Sequence, residues 1–284
     1  MAGKPNRRSH TKKRKRTQPE RPRGRGDPGI ADVVGEIERV LATPLVELME
    51  GEEERAHARE LTRQANLAPA LARFRELLAF VGEGRRATQA GKLTPADAIA
   101  LASALGAPGL AGVEVRSMED LPEVAHLFHW AVAAELLVVR GARVVPGPWA
   151  ADLLRDPLSV WFKVATTLLE HGLLDAFQRG WRKQYVGFLD AGVPFLLSAI
   201  LNVGGEAPVA AIEESVWERV AAAYGYDLDD ASERRHVDRL VQGIFAQFAD
   251  LGAAERDETT VRLTELGGAL AVAASAVIDD DELE

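Results

Sequence analysis

Residues 136–147 read "LLVVRGARVVPG": two short β-branched runs flank Arg140, Gly141 and Ala142. Alternating extended residues around a glycine-containing turn are the signature of a β-hairpin. Immediately upstream, "SMED" at 117–120 has the form of a capping box with Asp120 in the acceptor position. The spacing predicts a helix from Ser117 that buries Leu121, Val124, Leu127, Phe128 and Ala131 and runs directly into the hairpin. Further upstream, "PALARFRELLAFVGEG" (69–84) is a helix stopped by glycines and "RRATQAGK" (85–92) a short extended piece. "LTPADAIALASALG" (93–106) is a helix opened by Thr94 with proline at its first position. Helix, short strand, helix, helix, hairpin is the order of a winged helix-turn-helix.

The pattern recurs downstream without identity of sequence. "PFLLSAILNVGGEAP" (194–208) parallels the first helix and strand, and "VAAIEESVWERVAAAYG" (209–225) the second helix. Val237, Leu240, Val241, Ile244, Phe245, Phe248 and Leu251 mark a long third helix, and "AERDETTVRLTELG" (254–267) a second wing-like hairpin. Between the two units, Leu158, Trp161, Phe162, Ala165, Leu168 and Leu169 form one helical stripe and Leu173, Leu174 and Phe177 another. The expected fold class is mainly α: two winged helix-turn-helix-like units with short hairpin wings, joined by connecting helices. The expected boundaries are a disordered basic tail (1–28), N-terminal helices (29–67), the first unit (68–147), connecting helices (148–190), the second unit (191–275) and an acidic tail (276–284). Within 29–67, Ile30, Val33, Val34, Ile37, Val40 and Leu41 form an amphipathic stripe, and "EEERAHARELTRQANL" (52–67) reads as a solvated helix.

The stretch Val81-Gly82-x-Gly84-Arg85-x-x-Thr88-x-x-Gly91-x-Leu93, with the helix and hairpin that follow it, resembles uncharacterised actinobacterial proteins carrying a "VGxGRxxTxxGxL" segment. The resemblance covers roughly residues 65–147. It implies the winged-helix-like fold and brings no catalytic residue with it.

Charge is divided unevenly along the 284 residues. Residues 1–26 hold eleven Lys or Arg against Glu20 alone, about +10, whereas the remaining 258 carry 23 basic and 42 acidic groups, or −19. The tail offers almost no apolar residue to offset ordering entropy, which predicts disorder. Arg7, Arg8, Lys12, Lys13, Arg14, Lys15 and Arg16 are candidate phosphate contacts of a non-specific nucleic-acid arm, for DNA or RNA alike. A solvated tail, or one folded back on "DDDELE" (279–284), is the competing reading. The third helices are poor groove readers. The first opens with Glu119, Asp120 and Glu123, and the second mixes Arg234, Arg235 and Arg239 with Glu233 and Asp238 after Asp227, Asp229 and Asp230. Arg234, Arg235 and Arg239 are retained as candidate phosphate contacts, and two wing arginines, Arg140 and Arg143, as a weak patch.

Glu123, His126 and His129 share a helix, but a di-iron site needs a second E-x-x-H and further Glu residues. His10, His57, His171 and His236 lack zinc-ligand spacing. There is no cysteine, no P-loop, no dinucleotide fingerprint and no nucleophile elbow. No metal, cofactor or enzymatic activity is therefore expected. No apolar run reaches membrane-spanning length, and the absence of cysteine fits a reducing cytoplasm. The leading expectation is a non-catalytic, cytoplasmic, nucleic-acid-associated protein whose acidic units serve protein contacts. The alternatives are a pure protein–protein adaptor and an enzyme without a recognisable motif.

Overall fold

A computed structural model describes residues 51–107, 114–172 and 183–281, with 183–185 and 276–281 described as backbone only. The basic arm and the stripe at 30–41 lie outside the described residues. The described chain is mainly helical and carries two small antiparallel sheets of three strands each.

Helix α1 (Glu52–Leu67) opens with three glutamates that complement the positive end of its dipole. It is not solvated all round: Ala58, Leu61 and Ala65 are buried. Helix α2 (Pro69–Val81) starts on proline, and Gly82, at φ 57°, ends it before strand β1 (Arg85–Arg86). Helix α3 (Pro95–Ala104) is capped by Thr94, whose hydroxyl accepts the Asp97 N–H.

The third helix begins later than the capping box suggests. Residues 118–120 form a single 3-10 turn, with Met118 buried and the Asp120 carboxylate accepting the Ser117 and Arg116 N–H groups. Helix α4 proper is Pro122–Ala133. The proline forces Leu121 out of helical geometry (φ −118°, ψ 83°), so the chain breaks there and restarts. Strands β2 (Leu137–Arg140) and β3 (Arg143–Pro146) form the hairpin, and β1 joins β3 on its other edge, giving the order β1-β3-β2.

Short helix α5 (Asp152–Arg155) and helix α6 (Pro157–His171) follow. Helix α7 (Lys183–Asn202) passes straight through Pro194, so the first helix of the second pattern starts well before the proline that marks its expected opening. Then come β4 (Glu206–Pro208), α8 (Val209–Tyr224), α9 (Ala231–Asp250), β5 (Ala254–Arg256) and β6 (Thr260–Leu263), with sheet order β4-β6-β5. Helix α10 (Glu265–Asp281) closes the described chain and extends into the segment expected to be an acidic tail.

The two patterns match in detail from the third helix onward. Leu137 pairs with Pro146 and Arg140 with Arg143 in the first hairpin; Ala254 pairs with Leu263 in the second, and each residue lies 117 positions after its counterpart. The same offset superposes the buried faces of α4 and α9: Val124 on Val241, Leu127 on Ile244, Phe128 on Phe245 and Ala131 on Phe248. Both helices end in the same bonded turn. The Leu136 N–H donates to the Ala131 carbonyl (2.9 Å) and the Ala253 N–H to the Phe248 carbonyl (2.8 Å). The left-handed residue this turn requires is Glu135 (φ 59°) in one copy and Gly252 (φ 66°) in the other.

The described residues belong to one compact unit, and their buried side chains make a continuous core. Trp161 of α6 is fully buried and donates through Nε1 to the Leu251 carbonyl (2.6 Å) at the end of α9. His126 of α4 meets Gln247 of α9 (3.0 Å), and Arg73 of α2 pairs with Asp250 (2.5 Å). The end of α9 is thereby tied to α2, α4 and α6. Among the described residues no helix is long and apolar enough to cross a membrane.

Candidate nucleic-acid interface

The register of the first sheet creates a site that no single stretch of sequence contains. Arg86 of β1 lies directly opposite Arg143 of β3, and Arg143 lies directly opposite Arg140 of β2. Residues opposed in antiparallel pairs project from the same face with Cβ atoms about 5 Å apart. All three arginines are exposed. Their pleat neighbour Val144 is fully buried, which fixes the arginine row on the outer face.

Among the described residues no carboxylate lies within ion-pair distance of Arg86, Arg140 or Arg143. Arg143 donates from Nη2 to the Gly84 carbonyl (3.0 Å), which steadies the middle member of the row. Gly84 sits at φ +131°, and a Cβ there would come within 2.8 Å of Val145, so only glycine lets β1 approach this closely. Arg85, on the opposite pleat, is not part of the row. Its guanidinium stacks over Phe80 (4.2 Å) and pairs with Asp97 (3.4 Å). Like charges directly opposed in a sheet are destabilising, by an amount that exposure to water keeps small.

The second sheet carries a different chemistry at the same positions. Asp257 and Thr260 stand where Arg140 and Arg143 do, and Pro208 pairs with Thr260 as Arg86 pairs with Arg143. The Asp257 carboxylate accepts the N–H groups of Thr259 and Thr260 (2.8 Å each), and these bonds hold it below the usual carboxylate range. Arg262 is neutralised by Glu206 (2.6 Å).

The arginines expected to matter on the third helix of the second unit do not form a comparable cluster. Arg234 is paired with Glu214 (2.5 Å). Arg235 and Arg239, exposed and one turn apart, direct their Nε groups to the carbonyls of Ala231 and Arg235 (3.0 and 3.1 Å). Asp230 caps α9 by accepting from Ser232 and Glu233, and Asp238 is pushed up by burial and by the neighbouring Glu213.

The two carboxylates just before α4, Glu119 and Asp120, are committed internally, whereas Glu123 in its first turn is exposed. Glu119 accepts from Lys92 Nζ (2.5 Å) and lies 3.0 Å from His129 Nε2. Burial pushes its carboxyl up, but these two partners more than offset the effect and leave it below the usual range. His126 is buried, and desolvation lowers its pKa to about 4, against a smaller opposing effect of the Gln247 hydrogen bond. His126, His129 and His171 with Thr167 line a cleft of about 390 Å³ beside Trp130. Among the described residues no group of three or more His, Asp or Glu is placed to hold a metal ion.

Sequence reasoning finds Arg140 and Arg143 but misses Arg86, which lies 57 residues before Arg143. The signal is present: the extended piece "RRATQAGK" precedes a helix pair and a hairpin, an order in which the isolated strand must pair somewhere to satisfy its backbone. No family description, curated protein or solved structure matches this chain.

Proposed function

We propose that the chain is a non-catalytic, nucleic-acid-associated protein built from two winged helices, the first of which sets its wing against the phosphate backbone. The observation that carries this reading is the row Arg86–Arg143–Arg140 on the outer face of the first sheet, which has no carboxylate partner among the described residues. Three guanidinium groups held side by side on a rigid sheet suit phosphate oxygens, and a polyanion removes the repulsion that the row otherwise imposes. The arm (Arg7, Arg8, Lys12, Lys13, Arg14, Lys15 and Arg16) adds sequence-independent attraction and offsets the acidic body. Base-specific recognition is not part of the proposal, because the first turn of α4 presents Glu123 and the turn before it is built on Glu119 and Asp120. The second repeat, with Arg262 neutralised, Arg256 set over the Phe245 ring (5.6 Å) and no arginine at the positions of the row, is left to protein contacts.

The test is affinity for random-sequence duplex DNA and single-stranded RNA over a salt series. For an arm engaging about eight phosphates, removing residues 1–26 should flatten the duplex log K against log salt slope by roughly 7. Replacing Arg86, Arg140 and Arg143 together by Ser should flatten it by roughly 2.7, about 0.9 for each phosphate no longer neutralised. An unchanged slope in the triple variant would remove the wing from the interface. Failure of the intact chain to bind at low salt would end the proposal. As a companion measurement, Arg140→Glu places an opposite charge across from Arg143 and leaves the Arg143–Gly84 hydrogen bond in place. It should raise stability by about 0.2–1 kcal/mol while weakening binding; a lower Tm would show that the row is held together by something other than the ligand.

A further inference from the structure

The second repeat contains an apolar groove with a cation at one end. It runs between α7 and α8, has a volume of about 550 Å³, and has Ile244 of α9 among its lining residues. Phe188 and Phe195 of α7 and Val203, just past its end, line it and remain exposed, Phe195 at 52% and Val203 at 66%. Fifteen residues separate Phe188 from Val203, so the apolar stripe extends over about 22 Å at ~1.5 Å per helical residue. Small side chains keep the groove open, among them Ala199 on α7 and Ala211 on α8. The two helices run back to back from the β4 turn, which places the Val203 end near Ala207 and the Phe188 end near Tyr224, where the two rings meet at 5.9 Å.

Among the described residues Arg219 is the one charged member of the lining, and it belongs to this far end, with Ser215 one turn before it on α8. No carboxylate lies within ion-pair distance of Arg219 among the described residues. The distribution of chemistry selects the occupant. The lining is apolar along its length except for Ser215 and the positive Arg219 at one end. We propose that it binds a long-chain fatty acid, with the hydrocarbon chain lying along α7 and the carboxylate at Arg219. Pockets of this size, mostly apolar with a few placed polar groups, are the usual form of a small-molecule site. An acyl chain removes Phe188, Phe195 and Val203 from water, and the guanidinium fixes its direction.

The experiment is calorimetric titration of oleate into the intact chain below the concentration at which oleate aggregates, with methyl oleate as the neutral comparison. Oleate should bind saturably at one site per chain. Arg219→Gln should weaken oleate roughly tenfold, the equivalent of about 1.4 kcal/mol, and leave methyl oleate unchanged. Ala199 is exposed, so Ala199→Trp fills the groove without entering the core, and it should abolish binding of both molecules. Absence of saturable oleate binding overturns the proposal, as does equal affinity of the wild type and Arg219→Gln. A native oligomer that Ala199→Trp converts to monomer, seen by light scattering, overturns it in favour of a second copy of this chain.

Discussion

The two repeats share a hairpin register and a helix-ending turn, yet they put opposite chemistry on the same scaffold. The first sheet carries Arg86, Arg143 and Arg140 in a row, and the second carries Pro208, Thr260 and Asp257. Conversely, the apolar groove belongs to the second repeat, where α7 and α8 continue for 20 and 16 residues, against 13 and 10 in α2 and α3. What is held constant is what packs: Val124 and Val241, Phe128 and Phe245, Val144 and Val261 are all buried. What differs faces water. Close packing constrains the residues of the core, and faces turned to water are free of that constraint.

The largest expected effect tests whether the comparison is between two repeats of one core or between two domains. Phe128→Ala and Phe245→Ala remove equivalent rings, 2% and 1% exposed. Each should cost about 3–5 kcal/mol. Because Trp161 and the His126–Gln247 contact tie the repeats together, each variant should shift one common urea transition. Two separate transitions, only one of which responds to a given variant, would break the single-core account.

A smaller effect concerns pH and belongs to the first repeat, since Gly243 occupies the position of His126 in the second. Burial holds His126 at about 4 in the folded chain, below the ordinary 6.5. The unfolded chain therefore takes up the proton first as pH falls. Stability attributable to this residue is complete above pH 6.5 and is lost as pH drops toward 4, by up to about 3 kcal/mol. Denaturation of the wild type and of His126→Gln between pH 7 and 4 should diverge by that amount, the wild type losing more. Parallel curves would show that the imidazole reaches water in the folded state.

The smallest effect lies in the turn that ends each third helix. Glu135 bears the cost of left-handed backbone that Gly252 avoids. Glu135→Gly should therefore stabilise by about 1 kcal/mol, and Gly252→Ala should destabilise by a similar amount. In the second copy the added Cβ would also rest 3.5 Å from Ala68, an ordinary contact that leaves the backbone effect dominant. Thermal denaturation giving the same sign for both would mean that the two turns are not equivalent.

Much of the architecture is legible in the sequence because it rests on local rules. Thr94 before Pro95, the apolar spacing from Val237 to Leu251, and Gly141 between β-branched runs each specify an element through interactions within a few residues. The misplacements have equally local causes. Ser117 and Asp120 form the expected acceptor pattern, but Pro122 interrupts the helix immediately after them. Pro194 is the natural place to start a helix, and the chain instead carries it inside α7, where the surrounding packing outweighs the missing hydrogen bond. A solvated reading of α1 follows its charge and passes over Ala58 and Ala65, which are small enough to bury without producing a strong apolar stripe.

The sequence by itself determined the mainly helical class, the order of elements in each repeat and the separation of charge between the arm and the body, because propensity, capping and composition act over short distances. The tertiary structure decided which residues meet. Arg86 joins Arg143 only through strand pairing across 57 residues, and His126 becomes a buried neutral group only because α9 covers it. Arg219 marks one end of a groove only because α7 turns back on α8. Register and helix packing are set by the burial of the whole core, a sum over distant contacts that no local window of sequence contains.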